Sequence, residues 1–241
     1  IEDASEDDIA RMRRHYYAKV TTVDEQIGRV IDALDEAGFL DDSIVVFCSD
    51  HGEMLGDHKL SYKWLMYDQI VRVPLIIWRP SNEKRSDSAG RRIDDLVSLM
   101  DIGPTILDAA GITQPTYHEG RSLMPYLEGE APGEREFVFS EDNYLIMMRS
   151  KTHKVVYYIG QEEGELYDLS EDPYELRNLW NDSEYTHTKN RLLSRLLEWL
   201  AGSAYWCAGY HRDKSEVYTM RWPEEDSYNL HGPKNANRRT T

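Results

Sequence analysis

The residues of this sequence best equipped for chemistry gather in one short stretch. Ser49-Asp50-His51-Gly52 follows a run of apolar residues, Asp57-His58 comes next, and Lys63 lies 13 residues beyond Asp50. A carboxylate beside an imidazole offers two ligands to a divalent metal. Where a strand gives way to a loop, consecutive side chains need not alternate between faces. Asp50 and His51 could then reach one ion, with Gly52 permitting a sharp backbone turn. The pair is not a complete site, because a hard cation such as Ca2+ takes about six to eight oxygen ligands. The plainer reading is a capped turn with a hydrogen-bonded His. A lysine beside a metal site can hold an oxyanion by charge and hydrogen bonding. Without that context Lys63 reads as a surface lysine. Asp57-His58 reads as a second metal pair, as a network behind the first, or simply as a loop-stabilising His.

The surrounding pattern says what positions these groups. Ser5, Asp7 and Asp8 open a long helix that closes at Gly38. Tyr16, Val20, Val23, Ile27, Val30 or Ile31, and Leu34 form one apolar stripe along it. Ile44 to Cys48 and Val73 to Trp78 are continuous apolar runs, the pattern of strands buried on both faces of a parallel sheet. The long connection between them, Ser49 to Arg72, also holds Trp64, Leu65, Met66 and Tyr67, which argues for order. Ligands in open α/β sheets bind outside the carboxyl ends of the strands, where Asp50 and His51 stand. Ser81 to Arg92 reads as a polar surface excursion. Asp101 to Ala110 reads as a short helix and Leu123 to Leu127 as an apolar turn.

Beyond a Pro/Gly linker at Gly129 to Gly133 the pattern changes. Phe137 to Ser140, Tyr144 to Arg149, Lys154 to Ile159 and Glu165 to Leu169 predict short antiparallel strands. A helix from about Glu184 to Leu200 carries Leu192, Leu193, Leu196, Leu197 and Leu200 on one face, to pack on that sheet. The aromatic tail after residue 203 has no period and could wrap back towards the site.

Composition narrows the functional classes. The 241 residues include 44 acidic and 28 basic side chains, a net charge of −16. That argues against nucleic acid and against anionic lipid as partners. No apolar run approaches the roughly 20 residues of a membrane span. Two cysteines cannot make a disulfide framework or a structural zinc site. Sixteen Tyr and six Trp against four Phe favour aromatics with a polar handle, suited to carbohydrate stacking or to core boundaries. The first residue is Ile, so the numbering is expected to begin inside a longer gene product. No feature of the sequence specifies a compartment.

Read together, the segments have a family resemblance. Val46-Phe47-Cys48-Ser49-Asp50-His51-Gly52-Glu53-Met54-Leu55-Gly56-Asp57-His58, then Lys63, then Val71-Arg72-Val73-Pro74-Leu75-Ile76-Ile77, resembles the carboxyl-terminal part of the sulfatase family, within the alkaline-phosphatase-like superfamily. Tyr17 to Leu34 resembles the long helix before the metal strand. Leu99 to Leu107 with Ala110-Gly111-Ile112, and then Glu119-Gly120-Arg121-Ser122-Leu123, resemble the segments that follow it. Leu166-Tyr167-Asp168-Leu169, Asp172-Pro173, Glu175 and Asn178-Leu179 resemble the closing motif of the small carboxyl-terminal subdomain.

The resemblance implies an α/β fold: the end of an alkaline-phosphatase-like, mostly parallel sheet domain over 1–130, and a small α+β subdomain over 131–202. Residues 203–241 would be an irregular tail. It implies that Asp50 and His51 are two ligands of a single divalent metal, most often Ca2+. Lys63 would contact the substrate sulfate and the catalytic aldehyde hydrate, and His58 matches a His frequent in this loop. The family's nucleophile is a formylglycine made from a Cys/Ser-x-Pro/Ala-x-Arg motif, and neither Cys48 nor Cys207 has that context. Cys48 reads instead as a buried strand thiol and Cys207 as a surface or tail cysteine. The nucleophile, the other metal ligands and the leaving-group His are expected on an upstream segment, in the same polypeptide or a companion chain. The isolated chain is expected to be inactive, and to aggregate without that segment. The substrate would be a sulfated small molecule or carbohydrate. The alternatives are a phosphonate or phosphate ester hydrolase of the same superfamily, or a non-catalytic sulfatase-like module.

Overall fold

A computed structural model describes residues 1, 3–80, 90–115 and 118–207, the last three as backbone. The polar stretch 81–89, the side chains of Tyr205, Trp206 and Cys207, and the tail with Trp222 lie outside the described residues. The chain forms two compact units, 1–89 and 90–241.

In the first unit, α1 (Glu6–Glu36) begins as the sequence predicts. The Ser5 hydroxyl accepts from the Asp8 backbone N–H, and the Asp8 carboxylate accepts from the Ser5 N–H, each at 3.2 Å. This capping box satisfies two donors that the first turn cannot pair internally. Gly38, at φ 72°, takes the left-handed position after the helix. The apolar stripe is present, but no residue of α1 is buried, and Val20, Val23 and Val30 are exposed. The period is that of a packed helix, yet the described residues cover the stripe only in part, leaving Ile27, Ile31 and Leu34 half-buried.

Strands β1 (Val45–Cys48) and β2 (Leu75–Trp78) correct the sequence reading in two respects. They pair with each other antiparallel, Val45 opposite Trp78 and Cys48 opposite Leu75, where parallel neighbours were expected. Phe47, Cys48, Ile76 and Trp78 are exposed. Cys48 is thus not a buried thiol, because among the described residues none forms a layer over that part of the two-stranded ribbon. Between the strands, the loop 49–72 is ordered by its own small core of Met54, Met66 and Ile70, the last on the short helix α2 (Asp68–Val71).

The second unit is built on one carboxylate and one sheet. The segment read as a single helix from Asp101 is a 3-10 turn, Leu99–Asp101, running into α3 (Ile102–Ala109). The apolar turn after Ser122 is a one-turn helix, α4 (Met124–Leu127). Asp101 is fully buried. It accepts from the Ser98 N–H at 2.8 Å, the Arg121 N–H at 2.8 Å, and both Arg135 terminal nitrogens at 2.8 and 2.6 Å. Thr105 donates to the Asp101 carbonyl and accepts from the Leu123 N–H. Gly120 passes so close to Met100 that a Cβ would lie 2.0 Å from its carbonyl oxygen. The segments 99–107 and 119–123 are therefore structural partners, pinned to each other through Asp101 and Thr105.

Strands β3 (Val138–Asp142), β4 (Leu145–Arg149), β5 (His153–Tyr158) and β6 (Gly164–Asp168) form an antiparallel meander, as their spacing predicts. Helix α5 (Thr186–Cys207) packs on one face. Leu192, Leu196 and Trp199 meet Phe137, Ile146, Met148, Val155 and Leu166 there. Each such fully buried apolar side chain contributes about 1.5–3 kcal/mol. Leu197, placed on the packing face by the sequence reading, is 65% exposed, because it sits on the helix's outer edge.

The closing motif ties the chain back to the sheet. Asn178 Oδ1 accepts from the Leu166 and Trp180 N–H groups, and its amide donates to the Gly164 carbonyl. On the sheet face opposite α5, Lys154 and Glu175 form an ion pair with both side chains buried. No described helix is long and apolar enough to cross a membrane.

Candidate active site

Asp50 and His51 stand where β1 ends, and the loop brings Lys63 back onto them. The His51 Nδ1 lies 2.7 Å from the Gly52 carbonyl. A carbonyl only accepts, so Nδ1 carries the proton and the neutral ring presents a lone pair at Nε2. The Lys63 ammonium donates to that lone pair at 2.8 Å. Asp50 Oδ2 is 3.5 Å from the same nitrogen. The hydrogen bond from the His51 backbone N–H, with the charge of Lys63 behind it, holds the Asp50 carboxyl below the usual carboxylate range. It is an exposed, ionised carboxylate. The structure thus gathers three of the four predicted site residues into one group.

The loop's backbone explains how. The Gly52 N–H donates to the Ile70 carbonyl, and a Cβ on Gly52 would lie 1.8 Å from the Gln69 carbonyl oxygen. Gly52 is required for this close approach, not for the sharp turn inferred from sequence. Glu53 Oε1 accepts from the Met54 and Tyr62 N–H groups at 3.1 and 2.5 Å, closing the loop just before Lys63. Arg13, on α1, donates to the Leu55 carbonyl at 2.9 Å and to Asp57 at 2.7 Å. Asp57 is therefore committed to α1. Its neighbour His58, the fourth predicted residue, stacks on Tyr67 with ring centroids 4.0 Å apart, and its Nε2 is buried.

Leu55, His58, Lys59, Tyr62 and Trp64 all have positive φ, between 50° and 78°. Only two further non-glycine residues share this conformation among the described residues, Asn143 and Glu175. Left-handed backbone costs side-chain-bearing residues about 1–3 kcal/mol each and concentrates at functional sites. Sequence reasoning missed Arg13 and Glu53, which act across 42 and nine positions. It also gave Trp64 no role beyond ordering the loop, whereas its ring is 60% exposed beside Lys63.

The donor chemistry fits part of a divalent-cation shell. Asp50 offers a hard carboxylate and His51 a lone pair of fixed tautomer, already engaged by one cation, the Lys63 ammonium. Among the described residues no three His, Cys, Asp or Glu side chains are grouped to hold a metal. The pair would need ligands from elsewhere.

The family model described as Sulfatase matches residues 2–112. The chain is 36% identical over 200 residues to an arylsulfatase of Clostridium perfringens, an alignment covering 80% of this chain and 41% of that protein. It is 34% identical over 198 residues to an N-acetylglucosamine-6-O-sulfatase of Bacteroides thetaiotaomicron, covering 77% and 35%. Its fold resembles the crystal structure of a phosphonate monoester hydrolase of Agrobacterium radiobacter, with a TM-score of 0.75 and 32% identity over 83% of this chain and 43% of that one. The chain spans less than half the length of these proteins.

Proposed function

The chain belongs to the sulfatase family, with the alkaline-phosphatase-like fold of that family, and on this premise we propose that it supplies the metal- and oxyanion-binding part of a sulfuric ester hydrolase. The observation that carries the proposal is the Lys63 ammonium 2.8 Å from His51 Nε2, with Asp50 alongside. Asp50 and His51 would hold one divalent cation, Ca2+ by family resemblance, which would neutralise charge on the transferring sulfate. Lys63 spends one N–H on His51 in this structure, which leaves two for the sulfate oxygens, and a metal on the His51 lone pair would release the third. A preorganised ammonium there stabilises the charge that develops as the S–O bond to the alcohol breaks. His58 is the loop's second proposed substrate contact.

We assign the nucleophile, a formylglycine, to a segment outside these 241 residues, in the same polypeptide or a companion chain. In support, neither Cys48 nor Cys207 lies in a Cys-x-Pro/Ala-x-Arg context, and the chain covers 41% of the arylsulfatase it resembles. By itself the chain would then be inactive. In the same reading, 1–130 ends the catalytic domain, 131–202 is a small subdomain and 203–241 a tail. The names of the two sulfatases favour a sulfated aryl or sugar substrate.

A second reading, hydrolysis of phosphonate monoesters, is favoured by the likeness to the Agrobacterium enzyme. Comparing kcat/KM of the intact protein on 4-nitrophenyl sulfate and 4-nitrophenyl phenylphosphonate separates the two. Preference for the sulfate supports the first proposal, and preference for the phosphonate replaces it with the second. Turnover of neither would leave a non-catalytic module.

A further inference from the structure

The loop that carries Lys63 holds an exposed aromatic on each side of it. Tyr62 is 74% and Trp64 60% exposed. Both have left-handed backbone, φ 70° and 78°, a conformation that glycine adopts freely and bulky residues avoid. This part of the loop is pinned at Tyr62, whose N–H donates to Glu53 and whose carbonyl accepts from the Met54 N–H. The Trp64 ring lies beside the ammonium, its centroid 5.2 Å from Lys63 Nζ. That is within the reach of a cation–π contact, about 6 Å.

Resting on the hydrolase reading above, we infer that Trp64 is the platform for the alcohol half of the substrate, and that the alcohol carries a ring. An oxyanion bound to Lys63 Nζ leaves its ester oxygen and first carbon within a side chain's length of the indole. An indole face stacks on an aryl ring or on the apolar C–H face of a pyranose, and gains little from a flexible acyclic chain. The strained backbone is accounted for in the same way, since it sets the ring next to the charge that the sulfate needs. Lys63 therefore reads the sulfate, and Trp64 selects the group attached to it.

Equilibrium binding to the intact protein tests this without turnover. The probes are inorganic sulfate, 4-nitrophenyl sulfate and N-acetylglucosamine 6-sulfate, on wild type, Trp64→Ala, Trp64→Phe and Lys63→Ala. Wild type binds at least one ring-bearing ester more tightly than sulfate. Trp64→Ala weakens that ester about three- to tenfold, and Trp64→Phe holds it within about twofold. Neither Trp64 variant changes sulfate binding, whereas Lys63→Ala weakens all three ligands. A Trp64→Ala loss confined to 4-nitrophenyl sulfate selects an aryl substrate, and one confined to the amino sugar selects a pyranoside. Equal losses on sulfate and the esters would make Trp64 a support for Lys63 and overturn the inference. So would unchanged ester binding, or a wild type that binds no ester better than sulfate. Ring-dependent binding without turnover of any sulfate ester would remove the hydrolase reading and leave the platform standing.

Discussion

Lys63 and His51 meet through one hydrogen bond, Nζ to Nε2 at 2.8 Å, with the imidazole's other nitrogen tied to the Gly52 carbonyl. The tautomer is set by a backbone acceptor, so the lone pair points to the lysine whether or not substrate is near. One nitrogen thus serves an ammonium here and would serve a metal ion in the proposed enzyme.

Two ligands make a weak metal site. Calorimetry of Ca2+ binding to the 241-residue chain should give a dissociation constant above about 0.1 mM, because even weak natural Ca2+ sites use a full oxygen shell. Asp50→Ala should abolish the residual binding. Micromolar affinity would mean that this chain completes the shell itself.

Asp101 is the principal structural carboxylate of the second unit. Asp101→Ala strands a nearly buried Arg135 and two N–H donors. Denaturant unfolding should show a loss of about 3–5 kcal/mol, the usual cost of removing one partner of a buried pair. A loss below about 1 kcal/mol, typical of exposed pairs, would contradict the assignment.

Lys154 and Glu175 invite the opposite test. Lys154→Met alone leaves the buried Glu175 carboxylate without its ammonium and should cost about 3–5 kcal/mol. The double variant Lys154→Met/Glu175→Met should recover most of that loss, because two desolvated charges disappear together. Additive losses would show that the pair is needed for more than mutual compensation.

Tyr126 gives an alkaline signature. Burial, then the hydrogen bond it donates to Asp95 at 2.9 Å, pushes its pKa up to about 12. The folded state favours the protonated phenol, so this contribution is whole below the ordinary value of 10 and is lost as pH rises through 12. Between those values wild type should lose more stability than Tyr126→Phe. Parallel stability curves would contradict the shift.

These residues also mark what was legible in the sequence. The 3.6-residue period located α1 and α5, and the spacing of short strand-sized segments located the meander, because both patterns are local. Asp50, His51 and Lys63 were legible as a motif, since they lie within one loop. Arg13 was not, because its contacts with Leu55 and Asp57 cross 42 and 44 positions. The burial of Lys154 and Glu175 was not legible either, because each is buried only by virtue of neutralising the other across the fold. The antiparallel pairing of β1 with β2, and the exposure of Cys48 and Leu197, depend on what packs over an element, which its own residues do not state.

The most direct measurement is kcat/KM of the intact protein on 4-nitrophenyl sulfate for wild type, Lys63→Arg and Lys63→Ala, with unfolding curves alongside. If Lys63 stabilises the transferring sulfate, Lys63→Ala should lose at least about 100-fold, the scale of one preorganised donor at developing charge. Its stability should be unchanged, because its ammonium lies in a partly open loop. Lys63→Arg should retain part of the activity. Near wild-type turnover in Lys63→Ala would contradict the site assigned to Asp50, His51 and Lys63.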